Sequence, residues 1–512
     1  MNGKKIIIVL LIIATLLLAA VIGMFWVGTH YVLINSELYS KDLTELDLRG
    51  ESITPSDYER FQRKLPDCRI LWNVPFQGGS QSCDITELTV TSLNQEDIRQ
   101  MRYFPELTAL HAQQCPDLDA VILAGETYPE LKVFYQVTLA EQAYPQDTRS
   151  VQLGSIRQED ISQLPYLPEL ETVSLSGAED MTAALALQEY CRNNGIAFTL
   201  ILGDGTYDET IQQLTVRQIT QDQISLLQLL PNLTTLHLED PLAPVEALLA
   251  LRESRSGLRV TWEKTIWGKT FQDTAEEVDL SDGTVGTLEE VKQGMTYLPN
   301  AKHLFLGFCK LDNEAIAAFR EESRQKFKVV WIVDLSGKMQ VRTDIDNFMP
   351  SRDGWGYVRD HEIDNIRYCE DLICMDIGHM GVKDVSFLET LVNLEYLILA
   401  HTEVQYVDPI VNCKKLKFLE LDWSCIRDVS PLVELTALED LNLGMTWPDI
   451  TPILQMTWLK NLYLIKGNAR ANFPEHLPNT RVVTSGDYTV SNGWRRLPNY
   501  YAMRDILGMH YM

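Results

Sequence analysis

Positive charge is scarce in this sequence. Its 512 residues hold 44 Lys and Arg against 71 Asp and Glu, a net charge of −27. A surface that acidic repels phosphate backbones, so sequence-independent nucleic-acid binding is excluded and a cationic patch on a partner becomes the natural complement. Metal motifs are missing: none of the nine cysteines forms a CxxC pair, and no histidine stands in HExxH or beside a second at metal spacing. A nucleophile elbow, a Walker loop and a dinucleotide fingerprint are also absent. The acidic groups Asp344/Asp346/Asn347 and Asp360/Glu362/Asp364 lack the glycine and closing glutamate of a calcium loop, and are expected to be solvated. The chain therefore reads as no enzyme, with no cofactor and no metal. With 45% apolar and 22% charged residues it is also neither disordered nor fibrous.

What is present begins with a membrane segment. Residues 6–27 form a run of 22 without a charged side chain. As a helix, such a run spans roughly 33 Å, enough for a hydrocarbon core of about 30 Å. Lys4 and Lys5 precede it and no Lys or Arg follows until Lys41, so residues 1–5 are expected in the cytoplasm and the rest outside. Trp26 and Tyr31 would lie at the interface. The run exceeds the apolar core of a cleaved signal peptide, and its one candidate exit, Val21-Ile22-Gly23, lies inside it, so an uncleaved anchor at 6–27 is expected. Without Lys4 and Lys5 the exported part carries −29. The nine cysteines of such a part are read as mostly unpaired core thiols, Cys68–Cys83 being the one local pair to check for a bridge.

Repeats decide the architecture. Leu372, Leu394, Leu416 and Leu438 are 22 residues apart and Leu459 follows after 21, each opening an LxxLxL-like phrase: LICMDI, LEYLIL, LKFLEL, LEDLNL and LKNLYL. A second apolar set follows each phrase, interrupted by Asp-Pro, Ser-Pro or Thr-Pro in three turns, and proline there predicts a tight turn or a short 3₁₀ piece. With Asp428-Val429-Ser430-Pro431-Leu432 and Asp449-Ile450-Thr451-Pro452-Ile453, the stretch resembles internalin-type 22-residue leucine-rich repeats. The resemblance implies an α/β repeat fold, a leucine-rich-repeat solenoid with a parallel β ladder on its concave side and helices or 3₁₀ turns on its convex side. It also implies a Gram-positive surface setting. The family's asparagine after the strand is replaced by Met380, Thr402, Ser424 and Thr446; hydroxyls can take over part of that ladder, and Met380 predicts a differently closed first turn. The N-terminal anchor and the lack of an LPxTG motif depart from internalins.

The N-terminal part repeats on a longer scale. Strand phrases open at Leu46, Leu88, Val151, Leu214 and Val278, the last four at steps of 63, 63 and 64. Each module closes with a third alternating strand in which Trp72, Tyr135, Leu200, Trp262 and Trp331 are equivalent, and Gly78, Gly203, Gly268 and Gly337 follow four of the five. The third strand is either a further ladder turn or half of a hairpin with the next module's first strand. The expected organisation is a divergent repeat array at 28–338, a connecting segment at 339–371 containing Pro350, Gly354 and Gly356, regular repeats at 372–478, and a cap at 479–512. That cap is locally basic (Arg481, Arg495, Arg496 and Arg504 against Asp487 and Asp505) and rich in rings: Tyr488, Trp494, Tyr500, Tyr501 and Tyr511. An edge-closing role is expected for it.

Alternate strand positions in the regular repeats then supply the candidate binding face: Tyr396, Phe418, Glu420, Asn442 and Tyr463, with His401, Asp422 and Trp423 just beyond. Aromatics flanked by carboxylates are the composition of a protein-binding surface. The expected function is a membrane-anchored, extracytoplasmic repeat protein that binds an unknown protein partner, or another macromolecule, through its concave face. The alternatives are an envelope scaffold or assembly factor and, less favoured, a cryptic hydrolase.

Overall fold

A helix at Gly3–His30 opens the chain, and from residue 7 onward nearly every side chain in it is exposed. The computed structural model describes residues 3–351, 356–486 and 493–509. Gly354, Asp487, Tyr488 and Tyr511, singled out above, lie outside the described residues. Ile7–His30 is long and apolar enough to cross a membrane. At its end Trp26 stacks on His30, with centroids 4.9 Å apart, and lies 5.9 Å from Tyr31.

The rest of the chain forms two compact units, one of residues 1–236 with 253–258, the other of residues 237–252 with 259–512. In the first unit the module beginning at Leu88 is three parallel strands, Glu87–Val90, Ala109–Ala112 and Lys132–Leu139, with Leu88 opposite Leu110 and Leu110 opposite Val133. The next module repeats this with Ser150–Leu153, Thr172–Leu175 and Ala197–Leu202. The module at Leu46 has only two, Glu45–Asp47 and Arg69–Leu71, which explains its shorter step. Helices between the strands start where side chains cap them: Thr54 with Asp57 and Asn94 with Asp97 form reciprocal capping boxes.

The third strand is a ladder strand, and the hairpin with the next module's first strand does not form. It pairs in parallel with the second, then continues into an antiparallel hairpin, but its hairpin partner is an extra short strand, as in Lys132–Leu139 with Gln142–Pro145, and not the next module's first strand. The chain turns there through two residues of positive φ, as at Gln77-Gly78, Trp267-Gly268 and Ser336-Gly337, the type I′ geometry that matches strand twist. In the module lacking a glycine, Ala140 and Glu141 take these angles (φ 48° and 65°). An L-residue there is strained, so Glu141→Gly is expected to raise stability by about 0.5–1 kcal/mol despite glycine's greater freedom when unfolded. The exposed Arg157 ion pair lost with it contributes little. A lowered urea midpoint would contradict this.

In the second unit the regular repeats form one parallel sheet of seven strands: Asn347–Phe348, Cys374–Asp376, Tyr396–Ile398, Phe418–Glu420, Asp440–Asn442, Asn461–Tyr463 and Arg481–Val483. Register is unbroken, Cys374 facing Tyr396, then Phe418, Asp440 and Asn461. Short 3₁₀ turns at Ser386–Thr390, Asp408–Asn412, Ser430–Glu434 and Thr451–Gln455 fill the proline-bearing side, as the missing N–H donors require. The segment 339–371 is not a break. Met339–Arg342 is a hairpin strand, Asn347–Phe348 is the ladder's first strand, and one apolar core runs without interruption from Ile266 to Leu477.

The turns are held together differently from the asparagine ladder that the resemblance implied. Thr402 and Thr446 hydroxyls donate within their own turns, to Leu399 and Leu443 carbonyls at 2.6 and 2.5 Å. Bonding between turns comes from the backbone: His379, His401, Trp423 and Met445 all adopt positive φ, and each N–H reaches the next turn's carbonyl at 2.8–2.9 Å. On the other side Asn393 and Asn412 donate to carbonyls of the preceding turn, Glu370 and Glu389, at 2.8 and 3.1 Å. The first turn is closed as Met380 suggested, by another route: the Val358 N–H reaches its sulfur at 3.3 Å, beside a bridge from Arg359 to Gly381.

None of the nine cysteines is in a disulfide, Cys68 and Cys83 included, and only Cys425 is exposed. Burial pushes the Cys369 and Cys413 thiols up to about 12. Alkylation of the folded protein should therefore label Cys425 alone, with the other eight reacting only after denaturation. Labelling of a second thiol under native conditions would contradict the packing.

Candidate functional site

In a β-strand, alternate side chains leave opposite faces, and here one face is leucine core. Met375, Leu397, Leu419, Leu441 and Leu462 point into that core. The other face carries Tyr396, Ile398, Phe418 and Tyr463, and it is not open to solvent. Residues 493–509 lie across it. A short turn at Trp494–Arg496 and a helix at Pro498–Ile506 place Trp494, Leu497, Tyr500, Met503 and Leu507 in one apolar cluster with those four strand residues. Trp494 stands 4.6 Å from the Phe418 ring and 5.0 Å edge-on to Tyr463, while Tyr500 is 6.0 Å from Phe418. The expected edge cap is thus a face cover: the segment reaches back to Cys374 and Met349, whereas strand Arg481–Val483 at the edge keeps partial exposure.

Carboxylates lie under the same cover. Asn499 Nδ2 donates to Glu439 Oε2 and to Asp440 Oδ2, both at 3.0 Å, and Asp440 also accepts from Asn461 at 2.7 Å. Burial raises the Asp440 carboxyl above its usual range. Glu420, half-buried, is pushed up to about 7, first by burial and then by neighbouring Asp422 and Asp376, while the nearby Trp494 indole and Arg495 charge act in the opposite sense. Asp376 is raised by its own burial, with the Gly378 N–H on its Oδ1 at 3.0 Å holding it down. Buried acids disfavour the charged form unless donors or cations meet them, and here the covering segment supplies both.

The predicted residues therefore fall into three groups. Tyr396, Phe418 and Tyr463 are anchors beneath the segment, with Glu420 beside Trp494. Asn442 is used locally, its Oδ1 accepting the Gly444 N–H at 2.9 Å. His401, Asp422 and Trp423 sit at the strand exits. There His401 stacks between His379 (4.3 Å) and Trp423 (4.8 Å), its Nε2 lies 3.9 Å from Asp422, and burial with the His379 charge lowers its pKa. Trp423 stays 49% exposed. Asp440 is among the outward strand positions; residues not anticipated are His379, Asp376 and Asn499. The 22-residue step places His379 in register with His401, and that signal was available.

Among the described residues no group of three or more His, Cys, Asp or Glu could hold a metal ion. The acidic groups flagged in the sequence are engaged otherwise: Arg342 with Asp344 at 2.8 Å, Lys338 with Glu362, and Asp360 with the N–H groups of Lys383 and Asp384.

No protein-family model and no curated protein matches this sequence. Among solved structures, internalin C2 of Listeria monocytogenes is similar over 27% of this chain and 72% of its own, at 23% identity and a TM-score of 0.22. Internalin F of the same organism is similar over 68% of this chain and 91% of its own, at 17% identity and a TM-score of 0.25.

Proposed function

We propose that the chain is a membrane-anchored, extracytoplasmic leucine-rich-repeat protein that binds a protein partner through the concave strand face of its C-terminal ladder. One observation carries the reading: the face alternates large rings with carboxylates, and what lies on it is a segment of rings with arginines. A face built only for stability has no need of carboxylates, because burying them costs free energy unless donors or cations meet them. Anchoring is supported by the charge-free helix at the N-terminus and its terminal aromatics.

Testing this by truncating Tyr396 or Phe418 would damage packing, so the exposed row is the better handle. A photo-crosslinking residue at position 423 or 401, in the full chain in its native membrane, is expected to capture the same protein from either position. A crosslinker at exposed Val392 serves as the control, and equal capture there would reject the face.

A further inference from the structure

The segment 493–509 does more than close the ladder's edge. Val483 of the terminal strand packs against its cluster, but the cluster also holds Cys374, Tyr396, Phe418 and Tyr463, on strands that already have ladder neighbours on both sides. Its polar contacts are directed at individual groups, Asn499 donating to the carboxylates of both Glu439 and Asp440. It also brings arginine into the most acidic part of the face, Arg495 standing close enough to Glu420 to favour its charged form. An aromatic anchor buried in a pocket, flanked by a charge of complementary sign, is the organisation of a recognition motif.

We propose that residues 493–509 are an intramolecular ligand that occupies the strand face of the C-terminal ladder. The partner this face takes is then a short amphipathic helix of the same chemistry, a tryptophan beside arginines followed by tyrosine and methionine, and it binds by displacing the segment. The proposal rests on the strand-face reading above. Being tethered, the segment competes at an effective concentration on the order of millimolar, so the native chain holds its face closed against weak ligands and opens it to tight ones.

The test uses a labelled peptide of residues 493–509 and the full chain in detergent, with binding read by fluorescence anisotropy. Asn499→Asp in the chain sets a third carboxylate against Glu439 and Asp440, so it should release the segment without touching the ladder. Trp494→Ala in the chain is the second releasing variant, and cooperative melting of each shows that the ladder is folded. The expected result is at least tenfold tighter peptide binding by either variant than by the native chain, and loss of binding when the peptide itself carries Asn499→Asp. A benzophenone at the peptide's Tyr500 position should then crosslink within residues 396–463. If a folded releasing variant binds the peptide no better than the native chain, the segment is a permanent part of the fold and the proposal is overturned, while a partner captured through Trp423 leaves the strand-face reading standing. Tight binding with crosslinks outside 396–463 overturns the strand-face reading itself.

Discussion

Trp262→Ala is expected to lower the stability of the second unit by about 3–5 kcal/mol, the range for removing a large buried ring that its surroundings cannot close over. The indole is fully buried, its Nε1 donates to the Tyr297 carbonyl at 2.7 Å, and the Arg252 guanidinium lies 4.2 Å over its ring. Arg252 is itself held by Asp273 at 2.6 Å, a carboxylate that is buried, so truncation would leave both a cavity and a loosened buried ion pair. Trp423→Ala, by contrast, removes a half-exposed ring and should change stability by no more than about 0.5 kcal/mol. Urea unfolding of the two variants, followed by far-ultraviolet circular dichroism, makes the comparison. Equal losses would mean that the module tryptophans and the strand-exit tryptophan do not have the separate roles assigned to them.

Glu420→Gln carries the second large effect, and it depends on pH. With its folded pKa raised from 4.5 to about 7, the native protein binds a proton here more tightly than the unfolded chain does. Below about pH 4.5 both states are protonated and the group's contribution is fully present. As pH rises towards 7 the unfolded chain ionises first and stability is lost, and above 7 the loss is constant. Glutamine cannot ionise and keeps the size and shape of the side chain. The variant should therefore match the native protein near pH 4.5 and exceed it above pH 7, by about 1–3 kcal/mol once partial solvent access is allowed for. Asp376 and Asp440, also raised by burial, add slopes of the same sign to both proteins. A difference that stays flat from pH 5 to 8 would contradict the burial of Glu420.

The ladder was legible because leucine spacing is a packing requirement: Leu397, Leu419, Leu441 and Leu462 have to meet in one core, and only a parallel stack at that pitch lets them. Proline legibly marked the 3₁₀ side for an equally local reason, its missing donor. The longer modules were less legible, because one alternating phrase such as Lys132–Leu139 serves two pairings in succession and periodicity does not say where one ends. The segment 339–371 looked like a break because Met339–Arg342 and Asn347–Phe348 are strands too short to show a period. At the candidate site, the face was found and its state was not. Tyr396 and Phe418 were placed on the non-leucine face, yet whether that face meets water depends on Trp494 and Tyr500, which lie 76 or more residues further along the chain. Their aromatic and arginine content was visible, but composition does not tell an edge from a face.

Hydrogen exchange reads out whether the C-terminal segment lies docked on the ladder. A helix of nine residues, Pro498–Ile506, is marginal in water by itself, so protection of its amides reports docking and little else. In the native chain these amides are predicted to exchange orders of magnitude more slowly than in the free peptide, and Asn499→Asp should return them towards the free rate while strands 396–463 stay protected. Exchange of 498–507 at the free-peptide rate in the native chain would show the face to be open and the account of its cover to be wrong.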